Sequence, residues 1–132
     1  MRKSVLILTT MLAVGGCTYQ HRPIYTVDDP MPPAIQPVSS QRLEYLIGAA
    51  CDTLGWKTQR VADGHLLATQ SRDSFSATVD ILFDSTHWQI RYNSSVGLNA
   101  ENGKIHDHYN LWVRNLEHEI KLHLSTLPPV GQ

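Results

Sequence analysis

The stretch FSATVDILF, residues 75–83, decides the fold because apolar and polar side chains alternate along it. Successive side chains of a β-strand point to opposite sides, so this alternation predicts a strand with one buried face and one wet face. Trp88, Ile90 and Tyr92 repeat the alternation after the turn residues 84–87. The two runs therefore predict a pair of neighbouring antiparallel strands.

Two further short runs, residues 56–62 and 65–71, precede this pair and are separated by Asp63-Gly64. Asp-Gly between two such runs is a strong signal for a hairpin of type I′, in which both central residues take a positive φ. Together the four runs predict an antiparallel meander of four strands with one wet face.

Amphipathic helices flank the four runs. Ser39 or Ser40 can cap the first helix, Gly55 follows it, and Pro128-Pro129 ends the second. The order helix, four strands, helix predicts an α+β fold, a two-layer sandwich with both helices on one face of the sheet. The apolar stripes of the two helices are Leu43, Leu46, Ile47, Ala50, Cys51 and Leu54, and Ile105, Tyr109, Trp112, Val113, Leu116, Ile120, Leu124 and Leu127.

The amino-terminal residues have the composition of a secretory signal. A basic start, Met1-Arg2-Lys3, precedes the apolar run 5–14, which is shorter than the roughly 20 residues that a transmembrane helix needs. The following Val14-Gly15-Gly16-Cys17 resembles the lipobox of bacterial lipoproteins, with Val in place of the usual Leu. The resemblance implies cleavage before Cys17 and attachment to the membrane through lipid on that residue. Thr18 stands where Asp would resemble an inner-membrane retention signal, which favours the periplasmic face of the outer membrane.

The sequence thus divides into a signal peptide (1–16), a lipidated cysteine with a proline-rich tether (17–38), a globular domain (39–127) and a tail (128–132). Five prolines and the lack of a hydrophobic period in residues 18–38 predict a tether without secondary structure. At about 3.1 Å per residue, an extended tether would hold the domain up to about 65 Å from the lipid headgroups.

Charge and cysteine content exclude some classes of function. Removal of residues 1–16 takes away two of the 11 basic residues and leaves a formal charge of 9 − 12 = −3, which disfavours a nucleic-acid partner. With Cys17 lipidated, Cys51 has no cysteine to pair with in this chain, so no internal disulfide is expected. Cys51 lies on the first apolar stripe and is predicted to be a buried residue rather than a nucleophile.

The last helix carries a more specific pattern. Residues 105–116, IHDHYNLWVRNL, resemble the I-H-x-x-Y-N-x-W-x-x-N-L pattern of small, functionally uncharacterised proteobacterial lipoproteins. The resemblance implies a family but no activity. At helical spacing the aromatic residues of this pattern indicate core packing, whereas Asn110, Arg114 and Asn115 lie off the apolar stripe and are expected at the surface.

No catalytic residue, metal site or cofactor is predicted. His106 and His108 are two residues apart, so their side chains would point about 200° apart on a helix, whereas on a strand they would share a face. The two histidines are not expected to chelate one ion. Glu119 and His123 are four apart and could converge. The favoured hypothesis is a non-enzymatic module that binds an envelope protein or small ligand. The alternative is a periplasmic metal-binding protein or small hydrolase that uses these four residues.

By elimination, recognition is expected on the polar side of the sheet and in the loop 94–104. Leu82 is an apolar residue among polar ones, which makes it a candidate anchor for a partner. Charged hydrogen bonds could come from its neighbours on the same face. The predicted partner-binding residues are Asp80, Leu82, Arg91 and Asn93.

Overall fold

The computed structural model describes residues 21–33 and 37–128. Two helices and seven strands make up this part of the chain, and the α+β class is confirmed. The elements are β1 (His21–Pro23), β2 (Val27–Pro30), α1 (Ser40–Thr53), β3 (Lys57–Ala62), β4 (His65–Arg72), β5 (Phe75–Phe83), β6 (His87–Val96), β7 (Lys104–His106) and α2 (Asp107–Leu124).

The meander predicted from the four alternating runs is confirmed. Strands β3 to β6 are consecutive antiparallel neighbours in a five-stranded sheet of order β2-β6-β5-β4-β3. Along β5 the odd-numbered positions from Ala77 to Phe83 are buried and the even-numbered positions are half-buried. The alternation therefore gives the correct inward side of this strand.

The hairpin at Asp63-Gly64 forms, but the prediction of a type I′ turn is wrong. Gly64 has a φ of +73°, whereas Asp63 is not among the described residues with a positive φ. A register shift between Arg60 and Ala62 accommodates the different turn geometry. Glycine is needed here for a second reason, since a Cβ on Gly64 would lie 2.5 Å from the backbone oxygen of Phe83.

Helix α1 agrees with its predicted stripe. The Ser39 hydroxyl accepts a hydrogen bond from the Arg42 N–H at 3.1 Å and caps the first turn, and Gly55 follows with a φ of +79°. Five residues of the predicted stripe are buried, and Leu54 at the C-cap packs against the core from its edge.

Helix α2 begins at Asp107, two residues later than the apolar pattern indicates. Ile105 is buried but belongs to β7, and His106 is the N-cap residue. Trp112 is only half-buried. The buried residues of the helix are Tyr109, Asn110, Val113, Leu116, Ile120 and Leu124.

The prediction that residues 17–38 form a tether without secondary structure is wrong for residues 21–30. Strand β1 pairs with β7, and β2 pairs with β6 as an edge of the larger sheet, so that sheet has five strands rather than four. Pro23 and Pro30 each close a short strand, where proline is tolerated. Val27 is 2 % exposed and belongs to the core, so this segment is part of the folded unit.

The predicted loop 94–104 is also partly wrong. Strand β6 continues to Val96, and β7 begins at Lys104. Between them, Gly97 has a φ of +75° and directs the chain so that Leu98 is fully buried. A Cβ on Gly97 would lie 2.7 Å from the Ser74 backbone oxygen, which leaves little room for another residue.

The buried residues of both helices and the inward positions of the sheet belong to one hydrophobic cluster. Residues 1–16, predicted to be a signal peptide, Cys17 and residues 129–132 of the predicted tail lie outside the described residues. Within the described ranges, neither helix has the length and apolar character required to cross a bilayer.

Candidate functional site

The four predicted partner-binding residues lie together on the side of the sheet that faces away from the core. We call this side the outer sheet face and define it by His65, Leu67, Asp80, Leu82, Gln89, Arg91 and Asn93. Asp80 is directly opposite Arg91 on the neighbouring strand and opposite Leu67 on the other. Leu82 is flanked in the same way by His65 and Gln89.

Hydrogen bonds hold Asp80 at the centre of this face. Its Oδ1 lies 2.7 Å from His65 Nε2, and its Oδ2 accepts from Asn93 Nδ2 at 3.0 Å. Asn93 reaches this position beside a register shift in the β5–β6 pairing at Thr78/Val79. The carboxylate is thereby fixed between three strands, while Arg91 and Asn93 are exposed.

His65 and Leu67 were missed as site residues. Their neighbours Leu66 and Ala68 are buried, so period-two alternation along this run places His65 and Leu67 on the outer side. Leu67 and Leu82 are both half-buried and flank Asp80, one on the neighbouring strand and one two residues further along β5, so apolar surface lies beside the carboxylate. The adjoining end of β6 adds Val96, which is 65 % exposed.

A second surface feature is a groove between residues 21–30, which we call the amino-terminal segment, and α2. We call it the N-terminal groove. Its volume is about 700 Å³. Pro23, Ile24, Tyr25 and Leu111 supply its apolar lining, and Leu111 is 54 % exposed. The polar lining consists of Arg22, Thr26, Asp107, His108, Asn110 and Arg114.

Asn110 fixes one wall of the N-terminal groove. Its Oδ1 accepts a hydrogen bond from the Tyr25 N–H at 2.9 Å, and its Nδ2 donates to the Pro23 carbonyl at 2.9 Å. At 4 % exposure Asn110 is buried, so the expectation that it lies at the surface is wrong. Arg114 is exposed as expected, but its guanidinium lies over the Tyr25 ring at 4.4 Å from the centroid.

A network of ionic contacts continues the attachment of the amino-terminal segment to α2 further along that helix. The Tyr25 hydroxyl donates to Glu117 Oε2 at 2.7 Å, and Lys121 Nζ donates to Glu117 Oε1 at 2.7 Å. Lys121 also lies 3.2 Å from Asp29 Oδ2. Burial raises the pKa of Glu117, but the hydrogen bonds from Lys121 and Tyr25 outweigh burial and lower the pKa below its usual value.

Sequence spacing contains a signal for this attachment surface. Asn110, Arg114, Glu117 and Lys121 follow one another at intervals of four, three and four residues, so they share one side of α2. All four contact residues of the amino-terminal segment. A polar stripe at helical spacing can thus indicate a packed surface as well as a solvated one.

His106 is not helical, so the side chains of His106 and His108 do not point apart as they would on a helix. Candidate metal-ligating atoms of His106, Asp107 and His108 lie within 4.8 Å of one another. The physical reason is that His106 precedes the helix: its Nδ1 accepts from the His108 N–H at 3.2 Å as the N-cap. His106 is 7 % exposed, and its ring stacks on Phe75 with centroids 6.5 Å apart.

These residues form a poor cation site. The positive end of the α2 dipole lies at the same place, and Arg22 and Arg114 line the adjoining groove. Glu119 and His123 are one turn apart, with Nδ1 3.5 Å from Oε1, but His123 lies about 22 Å along the helix from His108. The structure therefore does not bring together the four residues of the metal or hydrolase alternative.

Cys51 is fully buried in α1, as predicted. Burial raises the pKa of its thiol to about 12. Since the thiolate is the reactive form, this residue does not suit nucleophilic catalysis.

Comparisons of the chain with protein-family models, with curated proteins and with solved structures find no match. The function proposed below therefore depends on the residues and geometry of this chain.

Proposed function

We propose that this chain is a lipoprotein of the bacterial outer membrane, anchored on the periplasmic side through Cys17, whose domain is a non-enzymatic binding module for an envelope protein. The observation that carries the anchoring is the order of basic start, short apolar run and Val14-Gly15-Gly16-Cys17. Membership of the small lipoprotein family with the IHDHYNLWVRNL pattern is part of the same proposal.

The binding role is supported by the outer sheet face. A pair of half-buried leucines, Leu67 and Leu82, lies beside Asp80 and the exposed Arg91. Apolar anchor residues next to polar and charged groups are typical of protein-binding patches, and this face combines the two kinds of residue. The hydrogen bonds of Asp80 to His65 and Asn93 hold that charge in place before any partner arrives, which reduces the entropy lost on binding.

The anchoring is tested by metabolic labelling with a fatty-acid analogue. Cys17→Ala should lose the label and leave the outer-membrane fraction, because the lipid on Cys17 is the proposed covalent attachment of the protein. Cys51→Ala is the matched control, since it removes the other cysteine of the chain and should keep the label. Label retained on Cys17→Ala would refute the proposed anchor.

The binding surface is tested by crosslinking in cells with a photoreactive amino acid at Gln89, which is opposite Leu82 on the outer sheet face. The double variant Leu82→Ser with Arg91→Glu should abolish the crosslinked product and leave the melting curve nearly unchanged. A matched double variant, Leu122→Ser with Arg42→Glu, changes exposed residues of the helices and should keep the product. Full crosslinking in the folded first variant would contradict the proposed surface.

A further inference from the structure

Three residues, 18–20, separate Cys17 from the start of β1 at His21. Four Cα steps span at most about 14 Å, so the Cα of His21 would lie within that distance of the Cα of Cys17, the residue that carries the lipid. This inference rests on the proposed anchoring. Under it, the residues that follow His21 lie close to the membrane.

The N-terminal groove is built from those residues. Residues 22–26 form one of its walls, and the first two turns of α2 form the other. The groove combines apolar lining, including the exposed Leu111, with Arg22 and Arg114. An amphipathic surface of this kind suits the boundary between headgroups and acyl chains.

The charge of the groove differs from that of the chain as a whole. Its lining has two arginines against one carboxylate, Asp107, together with His108. The chain after residue 16 has a formal charge of −3, so the positive lining is a local feature. The amino-terminal end of α2 adds its partial positive charge. These groups are complementary to phosphate.

The Arg114 side chain is already held in a position suited to contact with a phosphate. Its guanidinium lies on the Tyr25 ring, and that ring is fixed through the Tyr25 hydrogen bonds to Asn110 and Glu117. The arginine nevertheless remains exposed at the groove. A guanidinium held in this way loses less side-chain entropy when it forms a bidentate contact with a phosphate.

We propose that the N-terminal groove lies on the membrane surface and binds phosphate groups of phospholipid headgroups, with Arg22 and Arg114 as the cationic contacts. The domain is then held against the bilayer with a defined orientation. Its β3 edge, at the other end of the five-stranded sheet from β2, points away from the lipid.

The test uses the full mature lipoprotein in vesicles of phosphatidylcholine, with or without phosphatidylglycerol, that contain a headgroup-linked nitroxide quencher. Leu111→Cys places a fluorescent label in the groove, and Val61→Cys places the same label on β3 at a similar exposure, 54 % against 49 %. Cys51 is buried and Cys17 is blocked by lipid, so the introduced thiol is the one that reacts. Thr26→Cys provides a second groove position that is smaller and exposed.

The labels at Leu111 and Thr26 should be quenched several-fold more strongly than the label at Val61, and phosphatidylglycerol should increase the difference. Arg114→Glu should reduce the groove quenching. Arg114→Gln removes the charge without reversing it, so it should reduce the groove quenching by a smaller amount, and it serves as the test if the charge reversal disturbs folding. Lys57→Glu, a charge reversal on β3, should leave the groove quenching unchanged.

Two failures are distinguishable. Protein that floats with vesicles but shows equal quenching at Leu111 and Val61, or no response to either Arg114 variant, overturns the groove inference and leaves the lipid anchor intact. Protein that does not float overturns the proposed anchor, and with it the orientation that depends on the anchor.

Discussion

Asn110→Ala tests whether the amino-terminal segment is an integral part of the fold. The substitution removes both hydrogen bonds of the side chain, to the Tyr25 N–H and to the Pro23 carbonyl, each at 2.9 Å. A lost hydrogen bond that leaves a buried group unsatisfied destabilises by about 1–3 kcal/mol. Pro23 is exposed and water can replace its partner, so the lower part of that range applies to its carbonyl.

The expected total is about 2–3 kcal/mol, which lowers the melting temperature of a domain of this size by roughly 10–15 °C. Asn115→Ala is the matched control, because Asn115 lies on the same helix and is exposed, so its loss should change stability by less than about 0.5 kcal/mol. Thermal unfolding followed by circular dichroism gives the totals, and amide hydrogen exchange at Tyr25 reports the local attachment. Equal melting temperatures for the two variants, with the Tyr25 amide still protected, would refute this account of Asn110.

Three other predictions address the network, the core and the hairpin. The folded-state pKa of Glu117 is lowered, so its stabilising contribution is present above the usual glutamate pKa of about 4.3 and is lost as the pH falls. The stability difference between wild type and Glu117→Gln should therefore disappear in acid, and a difference independent of pH would contradict the ionic contacts. Leu116→Ala should destabilise the domain by about 2–5 kcal/mol in chemical denaturation, whereas Trp112→Ala should destabilise it by less than the usual range for a core tryptophan because Trp112 is half-buried. The reverse order would mean that the buried side of α2 is misassigned. Gly64→Ala should be destabilising in the same assay, since residue 64 has a positive φ and its Cβ would lie 2.5 Å from a carbonyl oxygen. Gly48→Ala, with no atom within 4 Å of its Cβ, should instead stabilise α1 by about 0.5–1 kcal/mol. Equal effects would contradict the turn geometry.

The central sheet and α1 were predictable because their signals are local. Alternation along 75–83 assigns the inward side of β5 without knowledge of its neighbours, and Ser39 with Gly55 marks both ends of α1. Each of these features depends on residues a few positions apart, and each agrees with the structure.

Strands β1 and β2 were not predictable in the same way. They are three and four residues long, each ends in proline, and their partners lie more than 50 residues later in the chain. Such short strands have no alternation to read, and the segment that contains them is held by distant partners such as Asn110 and Glu117. The convergence of His106 and His108 was missed for a related reason, since one residue at a helix boundary decides whether helical spacing applies.

Under the proposed anchoring, the attachment of residues 21–30 has a mechanical consequence. A force that pulls the domain away from the membrane enters the fold at His21 and loads the three residue pairs of β1 and β7 first. Release of the whole segment as far as Ser39 would lengthen the link from about 14 Å to roughly 70 Å. The segment would then be a reserve of chain length that is released under load. The contacts of Asn110 and Glu117 would set the force at which it is released and the protein extends toward a distant partner.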